Sequence, residues 1–236
     1  MPTEITVTPS EIDFLETLQE SKNSVVFKVT FQGKPCVLKQ QYHDRGPSEF
    51  DPPDREVNLF IAESTAYQRL KSKGFCNRGV IPDFYGTIRN IQPALWPGLS
   101  MFLGDKLPPN AILIEYIPNM QAIGLSKYSE RRMAKFRRIL DDIHEANVLH
   151  GDPMPRNMMV SVSGDEERVL WVDFDSAQTF PEDGSHPRQK VWVEGEDELV
   201  DYFIAALVRF NVLVGEDYRH GNLSRTVSYY YDYFPI

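Results

Sequence analysis

One stretch of the chain, residues 143–160, constrains the fold more than any other. Its sequence, IHEANVLHGDPMPRNMMV, is typical of a helix end that passes through one glycine and two prolines and then enters an apolar strand. Asp152 and Asn157 are therefore expected in a loop between two rigid elements, where side chains that bind or catalyse are often placed. We expect a functional site at this loop.

A second acidic position follows the apolar segment VLWV, where Asp173 comes at a strand end and Asp175 two residues later. Carboxylates and the side-chain oxygen of Asn157 are the kind of ligand that Mg²⁺ takes when it shares a site with phosphate groups. The alternative is that Asp173 and Asp175 only shape the turn after the strand. At this point both interpretations stay open.

The first half of the chain predicts a β-hairpin followed by a helix. Residues 24–39, SVVFKVTFQGKPCVLK, contain two β-branched and aromatic strands joined at a QGK turn, with Lys39 at the strand end. Residues 55–72 have helical apolar spacing, and Glu63 lies inside the apolar stripe. A carboxylate there either reaches the edge of the stripe or pairs with a buried cation. Lys39 by itself would also suit an exposed strand position.

Further strands are predicted at residues 82–88 and 111–117, on either side of a Pro- and Gly-rich insert at 89–110. A Pro-rich, partly acidic loop at 43–54 precedes the helix. The sequence leaves the roles of this loop and of the insert open.

The second half changes character and predicts mainly helices. A basic helix starts at Ser129, two short strands (MMVSV and VLWVDF) follow the loop, and a last helix covers 196–210. We therefore predict an α+β protein with a β-rich N-lobe at 1–117 and a small, mainly helical C-lobe at 118–236.

Composition excludes several classes of protein. The chain has 34 Asp and Glu against 25 Lys and Arg, a formal charge of −9 that disfavours nucleic-acid binding by bulk charge. No apolar run approaches the ~20 residues of a membrane span, and the N-terminus lacks signal-peptide features. Cys36 and Cys76 have neither metal-ligand nor redox spacing. We expect a cytoplasmic protein that does not bind a membrane.

The motif H-G-D-x-x-x-x-N at 150–157, followed by D-F at 173–174, resembles the catalytic and metal loops of protein-kinase-like phosphotransferases. The segment Val-Leu-Lys ending at Lys39 resembles the family's third-strand V-A-I-K. Glu63 falls where the family's helix αC has the glutamate that pairs with that lysine. These motifs occur in the family's order.

Residues 114–117, Ile-Glu-Tyr-Ile, resemble the hinge that binds adenine through backbone groups. The order and spacing of the motifs agree with the family from Val25 to about Phe210, some four-fifths of the chain. The resemblance implies a protein-kinase-like two-lobe fold with ATP and Mg²⁺ as cofactors.

The resemblance also implies a role for each residue on the nucleotide. Lys39 would hold the α- and β-phosphates of ATP, oriented by Glu63. Glu115 and Ile117 would bind adenine, and Ser24 would add a donor for phosphate. The family's phosphate-covering glycine loop is missing from residues 18–29, so Ser21 and Asn23 are further candidate donors.

For the chemistry, Asn157 and Asp173 would coordinate Mg²⁺, and Asp152 would accept or orient the proton of the attacking hydroxyl. His150 would be architectural, packing under Phe174. These roles are all implied by the resemblance.

Two further departures distinguish the chain from ordinary protein kinases. Asp175 replaces the glycine of D-F-G, which adds a third acid and removes a flexible position. Met154 stands where Ser/Thr protein kinases have a phosphate-binding lysine, and Arg156 is a candidate to supply that cation. The acid of the C-lobe helix is expected at Asp197 or Asp201. The pattern is closer to small atypical kinases, similar to aminoglycoside or choline phosphotransferases or to kinases of the RIO type.

The preferred hypothesis is an ATP- and Mg²⁺-dependent phosphotransferase that moves the γ-phosphoryl group to a hydroxyl acceptor, with a small molecule slightly favoured over protein Ser/Thr. The alternative is a pseudokinase, a nucleotide-binding or interaction module with little or no turnover, which the missing glycine loop favours. A third reading keeps the ATP site for another transfer, such as of AMP. The acceptor is unidentified, and a protein partner is left open.

Overall fold

The structure is a computed structural model that describes residues 4–21, 24–41, 49, 54–124 and 127–220, with the backbone alone for 209–220. In chain order, its strands and α-helices are β1 (Ile12–Glu20), β2 (Ser24–Phe31), β3 (Lys34–Gln41), α1 (Leu59–Ser72), β4 (Phe84–Ile88), β5 (Asn110–Glu115), β6 (Gln121–Ala122), α2 (Glu130–Glu145), β7 (Val148–Leu149), β8 (Met158–Ser163), β9 (Glu166–Trp171), β10 (Gln178–Thr179) and α3 (Gln189–His220).

These elements form two compact units. The first comprises the described residues up to Ile117 together with Phe174–Thr179, and the second comprises Pro118–Asp173 and the described residues from Phe180 onward. Residues 174–179 thus pack with the first unit, whereas the sequence interpretation placed them in the C-lobe.

The first unit contains a five-stranded antiparallel sheet in the order β1-β2-β3-β5-β4. The predicted hairpin is present as β2 and β3, paired from Ser24 with Gln41 to Phe31 with Lys34. Its two-residue turn has positive φ angles at Gln32 (51°) and Gly33 (73°), as a type I′ turn requires. This turn sets the register that places Lys39 opposite Ile112 of β5.

Helix α1 begins at Leu59, four residues later than the apolar spacing predicted. Asn58 fixes the start, because its side-chain oxygen accepts the N–H of Ile61 at 3.0 Å and so satisfies a donor that has no partner inside the helix. The predicted end at residue 72 agrees with the structure.

Strand β1 was not predicted, and its position in the sheet explains why. It is an edge strand, and its register with β2 shifts twice along its length. Most of its side chains are exposed, so the alternation of apolar and polar residues that marks a half-buried strand is missing.

The insert at 89–110 forms a layer over one face of the sheet. Gly98 lies against the ring of Phe14 on β1, so closely that a Cβ atom added there would lie 2.5 Å from a ring carbon. The insert is therefore part of the core of this unit. Its buried side chains are Ile91, Trp96, Leu99 and Phe102, which cluster with strand residues that include Val25, Phe27, Leu38 and Leu113.

The second unit is mainly helical. Helix α2 starts after Ser129, as predicted, and the Ser129 hydroxyl accepts the N–H of Arg132 at 3.2 Å. The helix packs on β9 of a three-stranded sheet in the order β6-β8-β9, where the Trp171 indole N–H donates to the carbonyl of Phe136 at 3.1 Å. Helix α3 contains the predicted helix 196–210 and extends beyond it at both ends.

The predicted α+β class is confirmed: an antiparallel sheet with a helix after its third strand is followed in the chain by a mainly helical unit. Of the predicted loop 43–54, only residues 49 and 54 are described. None of the helices in the described part of the chain has the length and apolar character that a membrane span needs.

If the insert is a structural layer, Leu99→Ala will lower the free energy of unfolding by about 2–5 kcal/mol, because it leaves a cavity at a fully buried position. Leu95, in the same insert, is 64% exposed, and Leu95→Ala is the matched control with an expected change within about 0.5 kcal/mol. Equilibrium denaturation in urea measures both. Equal stability of the two variants would contradict a structural role for the insert.

Candidate functional site

In the first unit, the structure brings Lys39 of β3 into contact with two carboxylates. The Lys39 Nζ atom lies 2.9 Å from Oε2 of Glu63 and 3.3 Å from Oδ2 of Asp175. Successive strand residues point to opposite faces, so Leu38 enters the core under the insert while Lys39 points toward α1. Glu63 therefore lies in the apolar stripe of α1 because it pairs with a buried cation.

The residues of this cluster differ in burial. The side chains of Lys39 and Glu63 are 8% and 1% exposed, whereas that of Asp175 is 20% exposed. Asp175 follows Phe174, a buried residue whose ring meets the ring of Tyr67 on α1 edge-on, with centroids 5.3 Å apart. This packing holds Asp175 beside the lysine. A largely buried ammonium group of this kind is suited to bind an anion such as a phosphate group.

The predicted phosphate donors Ser21 and Ser24 also lie in the first unit. The N–H of Ser24 donates to the hydroxyl oxygen of Ser21 at 3.0 Å, so this amide is already engaged. Asn23 lies outside the described residues.

Of the hinge residues, Glu115 donates its N–H to the carbonyl of Asp83 at 2.8 Å, and its carboxylate accepts the N–H of Asp83 at 3.0 Å. These two bonds hold the Glu115 end of the hinge. Ile117 is buried at the end of the first unit. The adenine-binding role of Glu115 and Ile117 stays a prediction.

In the second unit, Asp152 is surrounded by donors from its own loop. Arg156 donates to both carboxylate oxygens, at 2.8 and 2.7 Å. The amide nitrogen of Asn157 donates to the carbonyl and to the carboxylate of Asp152, at 2.8 and 2.9 Å. Arg156 thus places its positive charge directly on Asp152.

His150 joins this loop to the end of β9. Its Nε2 lies 3.0 Å from the carbonyl of Val172, and its Nδ1 accepts the N–H of Asp152 at 3.4 Å, so the proton belongs on Nε2. The Val172 N–H in turn donates to the carbonyl of Asn157 at 3.1 Å. The packing of His150 under Phe174, as predicted, concerns residues of different units and stays a prediction.

Asp173, the residue after Val172, has a left-handed backbone, with φ at 66°. Aspartate is one of the few residues other than glycine that adopt this conformation with tolerable strain. Such strained positions are concentrated at functional sites, where the surrounding structure holds them in place.

A buried carboxylate that the sequence analysis missed anchors the loop that carries Asp152. Glu196, on α3, accepts the backbone N–H groups of His150 at 2.9 Å and Gly151 at 2.7 Å, one on each carboxylate oxygen. His144, on α2, contacts the same carboxylate through Nε2 at 2.7 Å. The position of the motif H-G-D therefore depends on Glu196.

The two acids that the sequence analysis named on this helix, Asp197 and Asp201, form ion pairs with Arg137 of α2, at 3.1 and 3.0 Å. A sequence signal for Glu196 existed, because it lies at helical spacing with the buried residues of α3, as Glu63 does on α1. Those residues are Val200, Phe203 and Leu207.

Burial by itself raises the pKa of the Glu196 carboxyl group, but the hydrogen bond from His144, together with that from the backbone amide of His150, outweighs this effect. The pKa therefore lies below the ordinary value for glutamate. Glu196 remains a carboxylate at neutral pH and can accept both loop amides.

Asn157 and Asp173 are the residues that could bind Mg²⁺ in the second unit. The described residues contain no group of three or more His, Cys, Asp or Glu side chains that could hold a metal ion. Asn157 and Asp173 offer one amide oxygen and one carboxylate, and the Asn157 nitrogen is committed to Asp152. Mg²⁺ typically takes one or two protein ligands and completes its shell with water and phosphate oxygens. The set therefore fits Mg²⁺ shared with phosphate groups.

Comparison with known proteins gives a similarity of fold. No protein-family model matches the chain, and no curated protein matches it. Among solved structures, it is similar to the Rio2 kinase-ADP/Mg²⁺-phosphoaspartate complex from Chaetomium thermophilum, with 16% identity and a TM-score of 0.48. The match covers 78% of this chain and 53% of that one. The chain thus spans about half the length of the solved protein.

Substitution of the anchor has a pH-dependent effect. Glu196→Gln places an amide group against two N–H donors, so at pH 7 we expect a loss of about 1–3 kcal/mol of unfolding free energy. Because the pKa of Glu196 is lower in the folded protein, its contribution is complete above the unfolded pKa of about 4.3 and is lost as the pH falls further. Urea denaturation at pH steps from 7 down to 3.5 measures this.

Glu198, two residues further along α3, is exposed, and Glu198→Gln provides the matched control. We expect the stability difference between wild type and Glu196→Gln to shrink below about pH 4.3, while the control stays close to wild type throughout. A difference that is constant over the whole pH range would contradict the anchoring role of the carboxylate.

Proposed function

We propose that this protein is an ATP- and Mg²⁺-dependent phosphotransferase that moves the γ-phosphoryl group to a hydroxyl acceptor. The observation that carries the proposal is the buried ion pair between Lys39 and Glu63. A buried lysine and glutamate on a sheet and its helix need a reason beyond stability, because an apolar pair of similar size is often equally stable there. Binding of phosphate by an oriented lysine provides that reason.

Each residue then has a definite task. Lys39 binds the α- and β-phosphates, with its ammonium group held by Glu63. Glu115 and Ile117 bind adenine through their backbone groups, and Ser24 contributes to the phosphate contacts. Asn157 and Asp173 hold Mg²⁺, which offsets the negative charge on the transferred phosphoryl group.

Asp152 receives or orients the proton of the acceptor hydroxyl while the bond from the γ-phosphorus to the leaving oxygen breaks and a new phosphorus–oxygen bond forms. Arg156 keeps the Asp152 carboxylate oriented in the meantime, because it donates to both carboxylate oxygens. Catalysis of this type is mostly positioning and electrostatics, so few residues suffice.

For the acceptor we propose a small hydroxyl-bearing molecule, ahead of protein Ser/Thr. Arg156, the candidate replacement for the missing phosphate-binding lysine, is paired with Asp152. Met154 stands where Ser/Thr protein kinases have that lysine, so a feature typical of kinases with protein acceptors is missing. We place the protein in the cytoplasm, as its cysteines and composition suggest.

A pseudokinase is the second candidate, and one observation favours it. Residues 18–29 contain no glycine where the family has its phosphate-covering loop, and the Ser24 amide already donates to Ser21. In that case the cluster around Lys39 would bind nucleotide without transfer.

The nucleotide site is tested by thermal unfolding of the purified chain with ATP, with Mg²⁺, and with both. Ligand at about 100 times its dissociation constant stabilises the native state by about 2.7 kcal/mol, which for this size is a rise of several degrees in the midpoint. We expect the rise to need both ligands and to be lost in Asp173→Asn, because this change removes the carboxylate proposed to bind Mg²⁺. The variant should still fold, since aspartate and asparagine both tolerate the left-handed backbone. No rise with millimolar ATP and Mg²⁺ together would contradict the proposal.

Turnover is tested separately with Asp152→Asn. We expect this change to abolish phosphoryl transfer and to leave nucleotide binding nearly intact, since Asp152 acts on the acceptor. Asp165→Asn, in an exposed turn, is the matched control and should retain transfer. Mass analysis of the products separates phosphoryl transfer from AMP transfer. Nucleotide binding without transfer to any acceptor would favour the pseudokinase.

A further inference from the structure

Asp175 occupies the position where the kinase-like motif has a glycine, and it does more than fill that position. Its Oδ2 atom lies 3.3 Å from Nζ of Lys39, and its Oδ1 accepts a hydrogen bond from the hydroxyl of Ser176 at 3.1 Å. Both carboxylate oxygens therefore have a donor. The side chain is held in one orientation, with its charge directed at the lysine.

Lys39 consequently shares one positive charge between two carboxylates. Glu63 is the closer and more deeply buried of the two, at 2.9 Å and 1% exposed. Asp175, at 3.3 Å and 20% exposed, is the partner that solvent and a ligand can reach. An anion that approaches Lys39 must therefore share the ammonium group with Asp175 or displace it.

This arrangement has an electrostatic consequence. A like charge within about 4–6 Å disfavours the charged form of a neighbouring group, and it disfavours the binding of a charged ligand for the same reason. The phosphate groups of a metal-free nucleotide carry only negative charge, so they meet the carboxylate of Asp175 without compensation. A nucleotide loaded with a divalent cation brings positive charge to the same place.

We propose that Asp175 is a specificity-determining residue that makes nucleotide binding dependent on a divalent cation. It weakens the binding of metal-free nucleoside diphosphates at Lys39, and it has little effect on the metal-loaded form. A glycine at this position has no such effect because it carries no charge. The inference rests on the proposed nucleotide site, and it goes further because it assigns Asp175 a role in selecting between two forms of the ligand.

The experiment is calorimetric titration of the full chain with ADP, once in EDTA and once in saturating Mg²⁺. In Asp175→Asn we expect the dissociation constant for metal-free ADP to fall by roughly tenfold, while that for ADP with Mg²⁺ changes by less than about threefold. The factor by which Mg²⁺ improves ADP binding then shrinks accordingly. By linkage, ADP improves Mg²⁺ binding by the same reduced factor.

Three further variants complete the design. Asp175→Ser is a second neutral variant and should behave as Asp175→Asn does. Asp175→Glu keeps the charge and should keep the wild-type dependence on Mg²⁺. Asp165→Asn removes one negative charge from an exposed turn and should leave both dissociation constants unchanged, which separates the local effect from that of net charge. Thermal unfolding of each variant confirms that it is folded.

The outcomes separate this inference from the proposed function. Wild type that binds ADP with Mg²⁺, together with an unchanged Mg²⁺ factor in both neutral variants, overturns the role of Asp175 and leaves the nucleotide site standing. Metal-free ADP that binds only to the neutral variants supports the inference. Absence of ADP binding in every protein, with and without Mg²⁺, overturns both.

Discussion

The first unit depends on the ion pair between Lys39 and Glu63, because side chains buried this deeply hold their charge only when they have a charged partner. Loss of one partner of a buried pair typically costs about 3–5 kcal/mol, since it leaves an uncompensated charge in the interior. The pair also ties β3 to α1, so the register of the sheet and the rotation of the helix are fixed together. The insert at 89–110 covers the opposite face of the same sheet and completes this arrangement.

The second unit uses a buried carboxylate in a similar way. Glu196 lies in the apolar stripe of α3, as Glu63 lies in that of α1, and each is buried because it has specific partners. Glu63 holds a lysine side chain, whereas Glu196 holds two backbone amides of the loop that carries Asp152. In both units a carboxylate on a rigid helix orients a group on a different element, and the group it orients belongs to the candidate site.

The sequence predicted elements that have a strong local signal and missed those that depend on tertiary contacts. The hairpin, the start of α2 and the position of Glu63 followed from turn residues, a capping serine and helical spacing. Strand β1 has no alternating pattern because it is an exposed, irregular edge. Glu196 stands beside Asp197 in an acidic run, and only its helical spacing with the buried residues of α3 distinguishes it from that neighbour. The partner of Asp175 is 136 positions away in the chain, and no local pattern reports such a contact.

The chain also departs from the kinase-like pattern in two places that affect the same ligand. Where that pattern has a glycine loop, residues 18–29 contain no glycine, and the Ser24 amide donates to the Ser21 hydroxyl. Where it has a glycine after D-F, Asp175 draws on the charge of Lys39. At the proposed nucleotide site, each change by itself would weaken the contact between the protein and a metal-free phosphate group. On the proposed function, both changes make phosphate binding depend less on the protein and more on the cation. A nucleotide would then bind mainly as its complex with Mg²⁺.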